Sequence, residues 1–257
     1  MRLAIAAGLV VVVGAIAASQ LLHGPTALPS RVHPLLPDLV MGPFEEVMGG
    51  LQEFTGDPVV RVEATIVDRG AGDFLAYARR DFPWSDHWTV YQRVMEAGGG
   101  FTERQTAADL IFAGTPHSHW HILNMEAHQL ERIDTGEILH QVIKQGFCPY
   151  DTDRYYADLP GSSAKPVYVE SDCEGPAWVT SLSMGVSVGW GDKYPWHMIE
   201  QSIDIAGVPD GRYRIREVAD PNNWFEESDE TNNETWMDVD IVTEGGIPTV
   251  TVVDRAP

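Results

Sequence analysis

Residues 117–121 read His-Ser-His-Trp-His, three imidazoles at every second position around an aromatic. Side chains on a β-strand alternate between its faces, so His117, His119 and His121 are expected on one face and Ser118 and Trp120 on the other. Neutral imidazole is a ligand for copper, zinc, iron and nickel, and a metal is the simplest reason to crowd three such rings together. The spacing also sets a constraint. Alternate strand residues are about 6.6 Å apart, so His117 and His121 are separated by about 13 Å at the backbone. One ion can be shared only if the outer rings lean inward or the strand bends. The alternative is a histidine-rich strand with no metal.

Two further segments add chemistry-bearing side chains. The stretch KQGFCPYDT brings Lys144, Cys148, Asp151 and Thr152, and GWGDKY brings Asp192 and Tyr194. Asp192, two residues before Tyr194, shares its face on a strand. Taken singly, Lys144 is a surface lysine, Tyr194 a half-buried aromatic and Asp192 a turn residue bonding local amides.

In order and spacing these segments resemble the lysyl oxidase family, in which an HxHxH copper motif precedes K-x-x-F-C-x-x-D-T and then G-x-x-D-x-Y. The LPDLV of residues 36–40, the GAGDFL of 70–75 and the ESDETNN of 227–233 are similar to flanking family segments, so the resemblance covers roughly residues 35–242. It implies an all-β, sandwich-like catalytic domain with long loops and few short helices. It also implies copper on His117, His119 and His121, and a lysine tyrosylquinone cofactor made from Lys144 and Tyr194, with Asp192 as the base. The activity implied is oxidation of primary amines, either protein lysine side chains or small amines, to aldehydes by dioxygen, with release of ammonia and hydrogen peroxide. His128 matches a histidine after the copper strand, where a supporting role competes with a surface position. The chain departs from animal members in having Thr115 and Pro116 where they carry tryptophan and histidine, and in having fewer cysteines.

Composition narrows the field. With 38 acidic against 17 basic residues the net charge is −21, which argues against nucleic acid and anionic lipid surfaces as partners and is compatible with a cationic amine or simply with the solubility of an exported protein. Arg2 followed by an apolar run from Leu3 reads as a signal peptide or single-span anchor over residues 1–24, so the folded part is expected outside the cytoplasm, touching membrane only through that segment. Residues 25–35, with Pro25, Pro29 and Pro34, read as a linker, and residues 36–257 as the catalytic domain. The two cysteines, Cys148 and Cys173, pair most simply as one disulfide in an exported chain.

Alternation and turn residues indicate strands over 59–67, 178–188, 199–205, 211–218 and 236–242 and two strands within 120–133, with 247–253 one more strand or a tail. Residues 36–55 read as helix or turn, 74–110 as irregular, 137–145 as helix or strand, and 220–233 as a long acidic loop. Two other functions remain open. One is a metal-dependent hydrolase or oxygenase on the same histidines with an added carboxylate such as Glu126. The other is a metal-binding adhesion module whose loop residues Asp220, Asn222, Glu226, Glu227, Asp229 and Glu230 take calcium.

Overall fold

A computed structural model describes residues 33–114, 118–143, 146–198 and 201–257. Residues 32–257 form one compact body. The expected leader lies outside the described residues, as do His117 and Lys144. Among the described residues the chain is all-β, with one 3-10 turn at Glu170–Asp172.

The strands form several antiparallel sheets. The largest run of long strands is Glu137–Ile143, Glu126–Arg132, Gly211–Ala219, Glu234–Glu244 and Ile247–Arg255, hydrogen-bonded in that order. Their alternation is clean: Tyr213, Ile215, Met237, Val239 and Ile241 point inward and are buried, with Leu130 and Ile203 in the same core. The outward positions carry opposite charges opposite one another, as in Arg214 Nε to Asp238 Oδ1 at 2.7 Å and Arg216 to both Glu131 and Glu234. A second sheet places Phe74–Arg79 between Thr89–Glu96 and Ser181–Val186. A third places Ala64–Asp68 between Trp190–Tyr194 and Leu39–Met41.

Several expectations from the sequence are revised. Residues 36–55 hold the strands Leu39–Met41 and Val47–Leu51, and 74–110 hold Phe74–Arg79, Thr89–Glu96, Phe101–Gln105 and Leu110–Ala113. Edge and loop-flanked strands with many polar outward residues lack the contrast that makes alternation visible, as in FTERQ. The run 59–67 is two strands, Pro58–Val62 and Ala64–Asp68, which join different sheets and are buried on both faces. Residues 137–143 are strand. The linker ends early, because Pro34–Leu35 pairs with Met95–Glu96 inside the fold.

The motifs seen in the sequence are joined to one another. Asn232 donates to the Asp38 carboxylate at 3.0 Å, and Glu227 accepts the Leu39 N–H and the Asn233 amide. Asp73 accepts from the Val188 N–H and the Tyr168 hydroxyl. The acidic segment 220–233 is therefore packed in part. Asp220 turns its carboxylate onto the Trp224 and Phe225 amides, and Glu227 and Asn233 are buried.

Candidate active site

The histidine strand is short, His119–Ile122, and pairs with Leu110–Ala113. It does not run straight back through the motif. Ser118 has φ +56, a left-handed conformation, and its N–H bonds to the Gly114 carbonyl. The chain thus turns just before His119. The Nε2 atoms of His119 and His121 lie 2.7 Å apart. That is the separation of one imidazole donating to another, and it is close to the roughly 3 Å between two nitrogens bonded to one ion at about 2.0–2.1 Å. Imidazole nitrogens converging from one face, on a buried side chain in the case of His121, fit a copper ion by donor type and by direction.

Both faces of this strand are clamped. Trp120 packs on Trp88 and Phe112, with centroids at 4.8 and 5.2 Å. The outer edge is tied to the other motifs by backbone bonds: Ile122 and Phe147 exchange two, and the Trp120 N–H donates to the Cys173 carbonyl. Cys148 and Cys173 form a disulfide, so both of its ends hang on the same strand. Gly146 is the close point of this clamp. A Cβ there would stand 2.3 Å from His121 Nδ1, so only glycine lets the Phe-Cys segment lie against the ring.

Tyr194 closes the other side. Its ring lies 4.6 Å from that of Phe147, and its hydroxyl accepts the Cys148 N–H at 3.1 Å and donates to the Cys148 carbonyl at 3.4 Å. Burial, with the charge of Asp192 next, pushes this phenol well above its usual range. Asp192 is fully buried on the same strand, Trp190–Tyr194, and its charge also acts on the Tyr150 phenol, which burial above all pushes up to about 12. The intervening residue, Lys193, is held by Glu63 at 2.8 Å, which raises its ammonium pKa. Lys193 is therefore not a free amine in reach of the phenol. Together these residues surround a cleft of about 260 Å³ whose wall includes His119, His121, Tyr150, Glu170, Tyr194 and Met198.

The Asp151-Thr152 pair has a different task from what proximity in sequence suggests. Asp151 is buried and accepts from the Val167, Tyr168 and Ser187 amides and the Ser187 hydroxyl. Thr152 bonds to the Gly191 carbonyl and accepts the Lys193 N–H. Thr152 thus fixes the stretch after the Phe-Cys pair to the strand carrying Asp192 and Tyr194, while Asp151 ties it to the residues 167–168 and 187. The hydroxyl and carboxylate spacing was legible, whereas this bracing role was not.

His128 is fully buried, against the expectation of a surface position. Glu126 lies 3.6 Å from its Nε2 and Glu217 lies 3.5 Å from its Nδ1, with the Gln201 amide oxygen 3.1 Å from Nε2. The three residues could hold a metal by donor type. The two carboxylates approach different nitrogens of the ring, so both would find an N–H only on a doubly protonated imidazole. Burial pushes the Glu217 carboxyl up to about 7 in spite of its contact with His128. The signal that could have found this cluster is the alternation in Glu-Ala-His on an otherwise apolar strand.

A sequence model of the lysyl oxidase family matches residues 115–249, which takes in the histidine strand, the disulfide, Tyr194 and the packed acidic segment. No curated protein matches the chain.

Proposed function

Because the chain belongs to the lysyl oxidase family, we propose that it is a copper-dependent amine oxidase of that type. It would convert primary amines, either lysine side chains or small amines, to aldehydes with dioxygen, releasing ammonia and hydrogen peroxide. The observation that carries this reading is the convergence of the His119 and His121 nitrogens with Tyr194 around one cleft, with Asp192 buried two residues from Tyr194 on the same strand. His117, His119 and His121 would hold copper, and Lys144 and Tyr194 would furnish the tyrosylquinone. When in place, metal and quinone supply the electron-accepting and oxygen-reducing chemistry.

The chain's own residues supply the rest. The Cys148 backbone pins the Tyr194 hydroxyl, so the ring keeps one orientation relative to the histidines. Asp192 would take the proton from the carbon bearing the amine nitrogen. Asp192 is fully buried on the strand that carries Tyr194. Glu170, on the cleft wall, gives an approaching ammonium a negative surface to meet. The disulfide and residues 1–24 support an exported, extracytoplasmic protein.

The test is peroxide release from a panel of amines by copper-loaded protein expressed without residues 1–24. Tyr194→Phe is expected to keep copper while losing both the phenylhydrazine-sensitive visible chromophore and turnover. A wild-type protein that binds copper but shows no chromophore and releases no peroxide with any amine would refute the reading.

A further inference from the structure

The inward face of the sheet of long strands is interrupted by one polar band. Along Gly211–Ala219, Tyr213 and Ile215 belong to one apolar core and Ala219 to the other, with Glu217 between them. His128 stands directly opposite Glu217 on the neighbouring strand, and Glu126 is two residues along that strand on the same face. Gln201 reaches His128 from a third segment, whose backbone is tied to the Val62 N–H at 3.0 Å. All four side chains are buried, with exposures of 1% or less, and none of them is on the wall of the candidate active-site cleft. Placing two carboxyls, an imidazole and an amide between two apolar cores is costly, and such groups are retained where they pair closely or coordinate a metal.

The distances suit a metal better than close pairing. A carboxylate bonded to an imidazolium sits at about 2.7–2.9 Å. Here Glu126 Oε1 is 3.6 Å from Nε2 and Glu217 Oε1 is 3.5 Å from Nδ1. Glu217 Oε1 is buried and completes no hydrogen bond among the described residues. Donor atoms held by one tetrahedral ion at about 2.0–2.2 Å stand about 3.4 Å from one another. Around Nε2 the carboxylate oxygen of Glu126 is at 3.6 Å and the amide oxygen of Gln201 at 3.1 Å, which brackets that spacing. One ligand atom from each of Glu126, His128 and Glu217 lies within 4.8 Å of the other two. Glu217 faces the other ring nitrogen. A histidine that binds a metal through one nitrogen is commonly fixed by a carboxylate accepting the N–H of the other.

We propose that His128 Nε2, Glu126 and Gln201 Oε1 bind a divalent cation of the zinc class, with Glu217 holding the Nδ1–H. One imidazole with carboxylate and amide oxygens is a nitrogen–oxygen donor set that zinc accepts, and the enclosure of the site makes the ion structural, not catalytic. It would join the strand after the histidine motif, the strand Gly211–Ala219 and the segment at Gln201, and its charge would balance the buried carboxylates. The site is separate from the copper ligands and does not depend on the amine oxidase reading.

Protein expressed in zinc-supplemented medium is loaded with copper, freed of loose metal by gel filtration and analysed by plasma mass spectrometry. About one zinc per chain is expected in addition to copper, and anomalous diffraction at the zinc edge should place it beside His128 Nε2. Glu126→Gln should lose the zinc, and Glu217→Gln should weaken it by about 10- to 100-fold, while both keep copper and the wild-type near-ultraviolet dichroism. If Glu126→Gln does not fold, Glu217→Gln and the anomalous map decide. A folded wild-type protein without zinc, an anomalous peak only at the HxHxH histidines, or zinc held by both variants as tightly as by wild type would overturn the proposal. Failure to bind copper would count against the amine oxidase reading alone.

Discussion

Gly146→Ala tests the site's geometry at a residue that does no chemistry. The new Cβ would stand 2.3 Å from His121 Nδ1 and 2.8 Å from its Cβ and Cγ. Ordinary contact begins at 3.4 Å, so the imidazole must retreat by about 1.1 Å, the difference between that limit and 2.3 Å. The Phe147 segment cannot retreat instead without breaking its paired backbone bonds to Ile122. Metal–ligand distances tolerate shifts of about 0.2 Å. His121 is therefore lost or misdirected as a ligand, and copper affinity should fall by about 10- to 100-fold, the range seen when a ligand's support is removed. Gly146 has no left-handed backbone, so alanine carries no conformational penalty and the fold should survive. Copper affinity is measured by competition with a chromogenic chelator, and near-ultraviolet dichroism reports the fold. Gly98→Ala, where nothing lies within 4 Å, serves as the neutral control. A folded Gly146→Ala protein with wild-type copper affinity would refute the argument that the Phe-Cys segment sets the histidine geometry.

Three further outcomes follow from the same structure. Replacing both Cys148 and Cys173 by alanine opens a loop with a sequence separation of 25 and should cost about 3–4 kcal/mol in urea denaturation; an unchanged midpoint would show that the strand contacts hold this region alone. Burial raises the carboxyls of Glu227 to about 8 and of Glu217 and Asp68 to about 7. Their folded pKa values exceed the unfolded ones, so the folded state retains protons longer and its stability should fall as pH rises from 5 to 8. Urea midpoints should fall over that window and Glu217→Gln should flatten the slope, whereas a rising midpoint contradicts the assignment. Asp192→Asn should retain copper and chromophore while lowering kcat by about 10²-fold or more; undiminished kcat would assign the proton transfer to another group.

The sequence by itself determined the chemistry on offer and much of the fold class. Residue type and order are enough to pick out the HxHxH run, the Lys-x-x-Phe-Cys and Asp-x-Tyr segments and the two-cysteine pairing, because these depend on side-chain chemistry and not on distance. Strong alternation over 211–218 and 236–242 was legible because one face of those strands is buried and the other charged. Strands such as Phe101–Gln105, polar on both faces, and Pro58–Asp68, buried on both, carry no such contrast and were misjudged or merged. Tertiary structure decided what the motifs do to one another. That Gly146 touches His121, that Thr152 braces the tyrosine strand and Asp151 the residues 167–168 and 187, and that His128 is enclosed by Glu126, Glu217 and Gln201 all depend on contacts between segments distant in sequence. Spacing along one chain contains no information about those distances. They are set by sheet register, the disulfide and the bend at Ser118, which appear only when every strand has found its partner.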